Sequence, residues 1–193
     1  MDAAVLEGGF EDLPQQLARA FRAALEALSD PGAIRSMERT SPPEIGSAAG
    51  ALLLTLCDGT TRLWLPERLN PGPADHWILF HTNASVTRER GEADFALGRW
   101  AELAPLSDWK AGTPDFPDRS ATLLVEVDGL EGGDPMRLSG PGIPGHRSFA
   151  PRLPDGAAQA LAENASRFPL GVDVILVAGN CIAAIPRSTR IGV

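Results

Sequence analysis

The sequence predicts a single α/β domain over residues 1–193, a mixed β-sheet with helices on both faces. Three observations carry that expectation. Residues 172–178 form a nearly unbroken apolar run rich in β-branched side chains (Val172, Val174, Ile175, Val177), with Asp173 as its only charge. A run so short and so branched reads as a strand covered on both faces. Ala178-Gly179-Asn180-Cys181 then returns the chain into Ile182, Ala183, Ala184 and Ile185, the pattern of a hairpin in the interior of a sheet. Elsewhere strand-like and helix-like stretches alternate without a strict β-α-β-α rhythm, and two neighbouring strand pairs read as antiparallel, which requires a mixed sheet. No repeat or linker divides the chain, and a domain of this length buries about 70% of the surface its unfolded chain exposes.

Taken in order, residues 14–28 place Leu17, Phe21, Leu25 and Leu28 at helical spacing, with Pro14 in the first turn. Ser29-Asp30-Pro31-Gly32 stops that helix, since proline cannot continue the ladder and glycine takes the left-handed conformation. A short strand is expected within residues 33–39, followed by an extended Ser41-Pro42-Pro43 turn. Residues 46–57, rich in alanine and leucine and poor in β-branched side chains, read as a buried helix. Asp58-Gly59 is a turn and residues 61–65 a strand. A short helix over residues 75–79 ends at Phe80-His81-Thr82-Asn83-Ala84. Residues 93–97 read as a strand and 99–104 as a helical turn. The proline-rich stretch 105–120 reads as a long surface loop. Residues 121–127 form another buried strand, with Met136 to Ser139 expected as its neighbour after a turn. Residues 154–168 form the last helix.

Composition excludes several classes. The formal net charge of −8 argues against nucleic acid, whose phosphates are bound by local excesses of Lys and Arg. The apolar runs are too short for a membrane-spanning helix, and the first ten residues lack the basic start and apolar core of a secretory signal. Cys57 and Cys181 lie in apolar segments without the spaced companions of a zinc site, so both read as buried free thiols in a reducing cytoplasm, and no metal is expected. There is one lysine, Lys110, against sixteen arginines.

Five residues stand out as candidate ligand or partner contacts. His81 and Asn83 could meet a hydroxyl or phosphate, or they could simply turn a helix end and satisfy local backbone groups. Arg187, Thr189 and Arg190 follow a buried strand, and an arginine pair there could hold a phosphate or a partner's carboxylate. Asp173 must be paired or hydrogen-bonded, with Arg187 or the amides near Gly171 as its candidate partners. Gly140-Pro141-Gly142 matches no phosphate-loop pattern, and its prolines remove donors, so it reads as a rigid turn. No catalytic triad can be assembled from His76, His81 and His146.

Four of these stretches occur together in a telling order. Phe21-Arg22 to Ser29-Asp30-Pro31-Gly32, Phe80-His81-Thr82-Asn83-Ala84, Leu138-Ser139-Gly140-Pro141-Gly142-Ile143, and Phe168-Pro169-Leu170-Gly171-Val172-Asp173 running to Ile185-Pro186-Arg187-Ser188-Thr189 resemble the H-subunit family of the bacterial carbon–phosphorus lyase system. Ser120 stands where that family implies a glycine. The resemblance implies a cytoplasmic, homodimeric subunit, without cofactor, of the assembly that joins ATP and a phosphonate into ribose 1-phosphonate 5-triphosphate. It also implies a fold like that of pyridoxal-phosphate transferases, and no turnover by the isolated subunit. The alternative is a free-standing enzyme or binding module for a phosphorylated sugar or nucleotide. A pyridoxal-phosphate enzyme needs a lysine for its imine, and Lys110 lies in the loop 105–120.

Overall fold

The structure is a computed structural model and describes residues 3–192. Ten strands form a seven-stranded sheet and a separate three-stranded sheet. In chain order the helices are α1 (Ala3–Leu6), α2 (Leu13–Ser29), α3 (Ser47–Leu56), α4 (Pro73–Thr82), α5 (Trp100–Leu103) and α6 (Ala157–Ser166). The strands are β1 (Arg35–Ser36), β2 (Arg62–Trp64), β3 (Ser85–Thr87), β4 (Phe95–Arg99), β5 (Thr122–Glu126), β6 (Met136–Gly140), β7 (Ile143–Phe149), β8 (Asp173–Ala178), β9 (Cys181–Ile185) and β10 (Arg190–Gly192).

The large sheet runs β1-β9-β8-β5-β4-β2-β3. Strands β3, β2, β4, β5 and β8 are mutually parallel, whereas β9 runs against both β8 and β1. The predicted hairpin is β8–β9, with Val177 opposite Ile182 and Ala178 opposite Cys181. Val174, Ile175, Leu176 and Val177 are all at most 2% exposed. Alternate side chains of this strand enter different cores: Ile175 and Val177 face α2, α3 and α4, and Val174 and Leu176 face α5 and α6. The mixed sheet with helices on both faces is therefore observed.

Strand β6 is not the neighbour of β5. It pairs with β7 and β10, and this small sheet closes the second core through Met136, Leu138, Ile143 and Phe149. The glycine-proline run is the tight turn between β6 and β7, and it hides β7 from a sequence reading because Pro144 and Gly145 lie inside that strand. Gly142 has φ +81°, and a Cβ there would strike the Ser29 carbonyl at the end of α2. Strands β3 and β10, only three residues each, were likewise not predicted.

Helix α2 forms where its spacing predicts, but it packs through Ala20, Ala24 and Ala27. Small side chains let the helix lie close to α3 and β9, and this turns Phe21 and Leu25, 47% and 50% exposed, outward. The stretch 105–120 is more ordered than a surface loop. It holds two 3-10 turns and an Ala111–Ser120 bridge, and it buries Trp109 against Trp64 in an edge-to-face contact at 5.2 Å.

Each stretch that carries the family resemblance is a junction. Asp30 accepts from Arg35 at 2.8 Å and pairs with Arg147 at 2.7 Å, while Arg147 also donates to the Asp30 and Pro31 carbonyls, so β7 grips the end of α2. Asn164, 4% exposed, donates to the Val172 carbonyl and accepts from the Val172 N–H, both at 2.9 Å, and so fixes the entry to β8. Asp173 accepts the Arg187 backbone N–H at 2.9 Å, and the Arg187 guanidinium lies 3.6 Å from its other oxygen.

Candidate functional site

The parallel strands end at Trp64, Arg99 and Glu126, and a cleft opens above those ends. The connections fix its position. From β2 the chain passes through α4, in the first core, out to β3 at the edge. From β4 it passes through α5, in the second core, inward to β5. Successive crossovers therefore leave on opposite faces and part between β2 and β4, and such a switch point is where open α/β sheets place ligands.

The cleft has a volume of about 590 Å³ and is lined by Glu44, Arg68, Arg99, Trp100, Glu126, Asp128 and Arg152 among others. Arg99 and Glu126 are register partners on adjacent parallel strands. Arg68 is clamped: it donates to Glu102 at 2.9 and 3.3 Å and to Glu126 at 2.6 Å. Burial acts against the Arg68 charge, but these carboxylates outweigh it and raise its pKa. For Glu102, burial acts upward and is outweighed by Arg68 and the Arg99 N–H, so its carboxyl sits below the usual range. Glu126 also accepts the Gly46 N–H at 3.4 Å. Glu44 accepts the Ala74 N–H at 3.3 Å from a left-handed backbone, φ 64°, a conformation that costs a non-glycine residue about 1 kcal/mol or more and tends to persist at functional sites.

Sequence reasoning missed Arg68, Arg99, Glu126 and Arg152. A signal was present for two of them: the predicted apolar strands 93–97 and 121–127 have a charged residue, Arg99 or Glu126, at or just beyond the carboxyl end. The five residues it selected lie elsewhere. Strand β9 is antiparallel, so Arg187, Thr189 and Arg190 emerge beside the amino ends of β5 and β8, away from the cleft. The Arg187 guanidinium contacts Asp173, the Ser120 hydroxyl and the Gly171 carbonyl. Thr189 is 1% exposed, and its hydroxyl has no partner among the described residues. Arg190 is exposed and borders a groove with Phe168 and Ser188.

His81 and Asn83 close α4. Asn83 takes the left-handed C-cap conformation, φ 58°, and the Thr82 hydroxyl donates to the Ile78 carbonyl at 2.7 Å and accepts the Ala84 N–H at 3.1 Å. The His81 ring packs 4.6 Å from Trp77 and 5.0 Å from Phe80. Burial lowers its pKa, partly opposed by the Glu7 and Val5 carbonyls.

Pyridoxal phosphate does not fit this cleft. Lys110 pairs with Asp94 at 2.7 Å, just before β4 begins, whereas the cleft lies beyond Arg99. Five residues of strand separate them, roughly 16 Å at ~3.3 Å each, so the chain's one lysine cannot supply an imine there. Of the two thiols, Cys57 is buried and Cys181 only half-buried, where a fully buried side chain was expected. Among the described residues no three metal-ligating side chains cluster, and no helix is long and apolar enough to cross a membrane.

Comparison with known proteins agrees with the junction motifs. A family model described as bacterial phosphonate metabolism protein (PhnH) matches residues 8–192. The chain is 38% identical over 191 residues to the Rhizobium meliloti (strain 1021) alpha-D-ribose 1-methylphosphonate 5-triphosphate synthase subunit PhnH, covering 97% of this chain and 96% of that one. It is 33% identical over 176 residues to the putative C-P lyase subunit protein HtxG of Stutzerimonas stutzeri, covering 89% and 84% respectively. With its four junctions in family order and nearly its whole length matched, the chain belongs to the PhnH family of bacterial phosphonate metabolism proteins.

Proposed function

We propose that this chain is an assembling subunit of a carbon–phosphorus lyase complex, contributing to formation of ribose 1-phosphonate 5-triphosphate from ATP and a phosphonate in the cytoplasm. The observation that carries the reading is the apolar surface on its first helical layer. Leu13, Phe21 and Leu25 on α2, and Leu79 and Phe80 on α4, are 47–57% exposed. Exposed apolar side chains on neighbouring helices of one layer are suited to contact surfaces. Family membership supports an assembly role for such a surface, since the relatives bear the names of subunits.

The homodimer and the contacts with other subunits belong to the same proposal. Arg190 is open to a partner carboxylate and Asn83 lies exposed at the end of α4. Arg187 would have to exchange Ser120 and Asp173 for a ligand, and His81 and Thr189 act from inside the fold. The likeness to the pyridoxal-phosphate transferase fold is supported by the mixed sheet covered on both faces, with the cofactor's lysine out of place. The test is co-expression of the tagged chain with the other subunits of the system. Wild type should retain them through purification, and Phe21→Glu combined with Leu25→Glu should release at least one contact while the chain stays folded. Retention of every partner, and of dimer mass, by that double variant would refute the assignment of the surface.

A further inference from the structure

We infer that the switch-point cleft binds a phosphorylated sugar, holding phosphate between Arg99 and Arg152 and sugar hydroxyls at Asp128. Of the charged side chains lining the cleft, Arg68, Glu44 and Glu126 are turned onto protein partners. Arg99 and Arg152 are exposed and form no ion pair among the described residues. Arg152 leans over the Gly129–Gly132 turn, where a Cβ at either glycine would lie 3.4 Å from its side chain. Two unpaired guanidiniums lining one cleft provide bidentate recognition of phosphate oxygens.

The acidic side chains narrow the ligand. A bare polyanion would meet the exposed Asp128 with repulsion, whereas a molecule with phosphate at one end and hydroxyls at the other satisfies both signs. Carboxylates at the carboxyl ends of parallel strands accept sugar hydroxyls in this way. Trp100 adds a half-buried aromatic side chain to the lining, and a volume of about 590 Å³ suits a small organic ligand. The inference deepens the subunit reading, resting on it only for the choice of probes.

The test is calorimetric titration of the full-length chain with ribose 5-phosphate, ATP, inorganic phosphate and ribose. Ribose 5-phosphate or ATP should bind more tightly than inorganic phosphate, and ribose should not bind measurably. Arg99→Ala and Arg152→Ala should each weaken binding about tenfold to a hundredfold, with thermal melting and partner retention unchanged. Asp128→Asn should weaken the sugar phosphate while leaving inorganic phosphate unaffected or tighter. Failure of every phosphorylated probe at millimolar concentration, or equal affinity in the arginine variants, overturns the site and leaves the subunit reading standing. Loss of assembly in wild type with binding intact has the opposite meaning.

Discussion

Replacing Asn164 with leucine removes a buried amide whose partners are both on Val172. Val172 is 0% exposed and Asn164 4%, so neither the freed N–H nor the freed carbonyl gains water. Each orphaned group costs ~1–3 kcal/mol. The leucine offsets part of this by burying apolar surface, so the net loss is about 2–4 kcal/mol, a large share of the ~5–15 kcal/mol that holds a domain together. The assay is urea unfolding with the denaturant slope held constant, together with a fall in melting temperature of roughly 5–12 °C. Gly171 sharpens the test. It has φ +117°, and a Cβ there would sit 2.7 Å from the Asn164 amide oxygen, so Gly171→Ala disturbs the same pair of bonds. The double variant should lose less than the sum of the singles, because one interaction cannot be broken twice. A loss below about 1 kcal/mol for Asn164→Leu, or full additivity, would refute the claim that this amide fixes the entry to β8.

Three further outcomes follow from the same physics. Arg68→Met should cost ~1 kcal/mol or less near neutral pH, since the clamp is partly solvent-screened. The Glu102 carboxyl is held low by Arg68, so that stability is fully present above the ordinary glutamate range and fades as pH falls through the lowered value; wild type and variant should therefore converge in acid melts. His81 has its pKa lowered by burial, so the fold favours the neutral ring, and this contribution is complete above the unfolded value of 6.5 and lost on acidification below it. His81→Leu should flatten the melting-temperature profile between pH 7 and pH 5, and an unchanged slope would contradict the assignment. The Cys57 thiol, 8% exposed, is pushed up to about 12 by burial and then by Asp58 and Asp94, so iodoacetamide near pH 8 should label Cys181 and spare Cys57 until the chain unfolds.

Much of the fold was legible because hydrophobic pattern and turn chemistry act locally. The β8–β9 hairpin needs only branched apolar residues around Gly179-Asn180, and α3 needs only a run dominated by alanine and leucine and poor in β-branching. Strand β7 was not legible, because its pairing with β6 and its packing against α2 overcome the proline and glycine within it. The outward turn of Phe21 and Leu25 was hidden for a related reason: a spacing pattern identifies a helix, but the alanines that permit close approach decide which face is buried. The cleft was hard to see because its charges come from two strand ends and several loops far apart in sequence. Parallel order brings them together, and the antiparallel sense of β9 carries Arg187 and Arg190 to the other end of the sheet. That Asp173 needs a partner, in contrast, followed from the cost of leaving one carboxylate unpaired in an apolar strand, and of the two candidates, Arg187 and the amides near Gly171, the structure selects Arg187.

The most direct test of the central claim is native mass spectrometry of this chain co-expressed with the remaining subunits of its phosphonate system, alongside turnover of ATP and methylphosphonate by the chain alone. The account predicts a stoichiometric complex and no product from the isolated chain. A chain that stays unassociated while forming product unaided would contradict it.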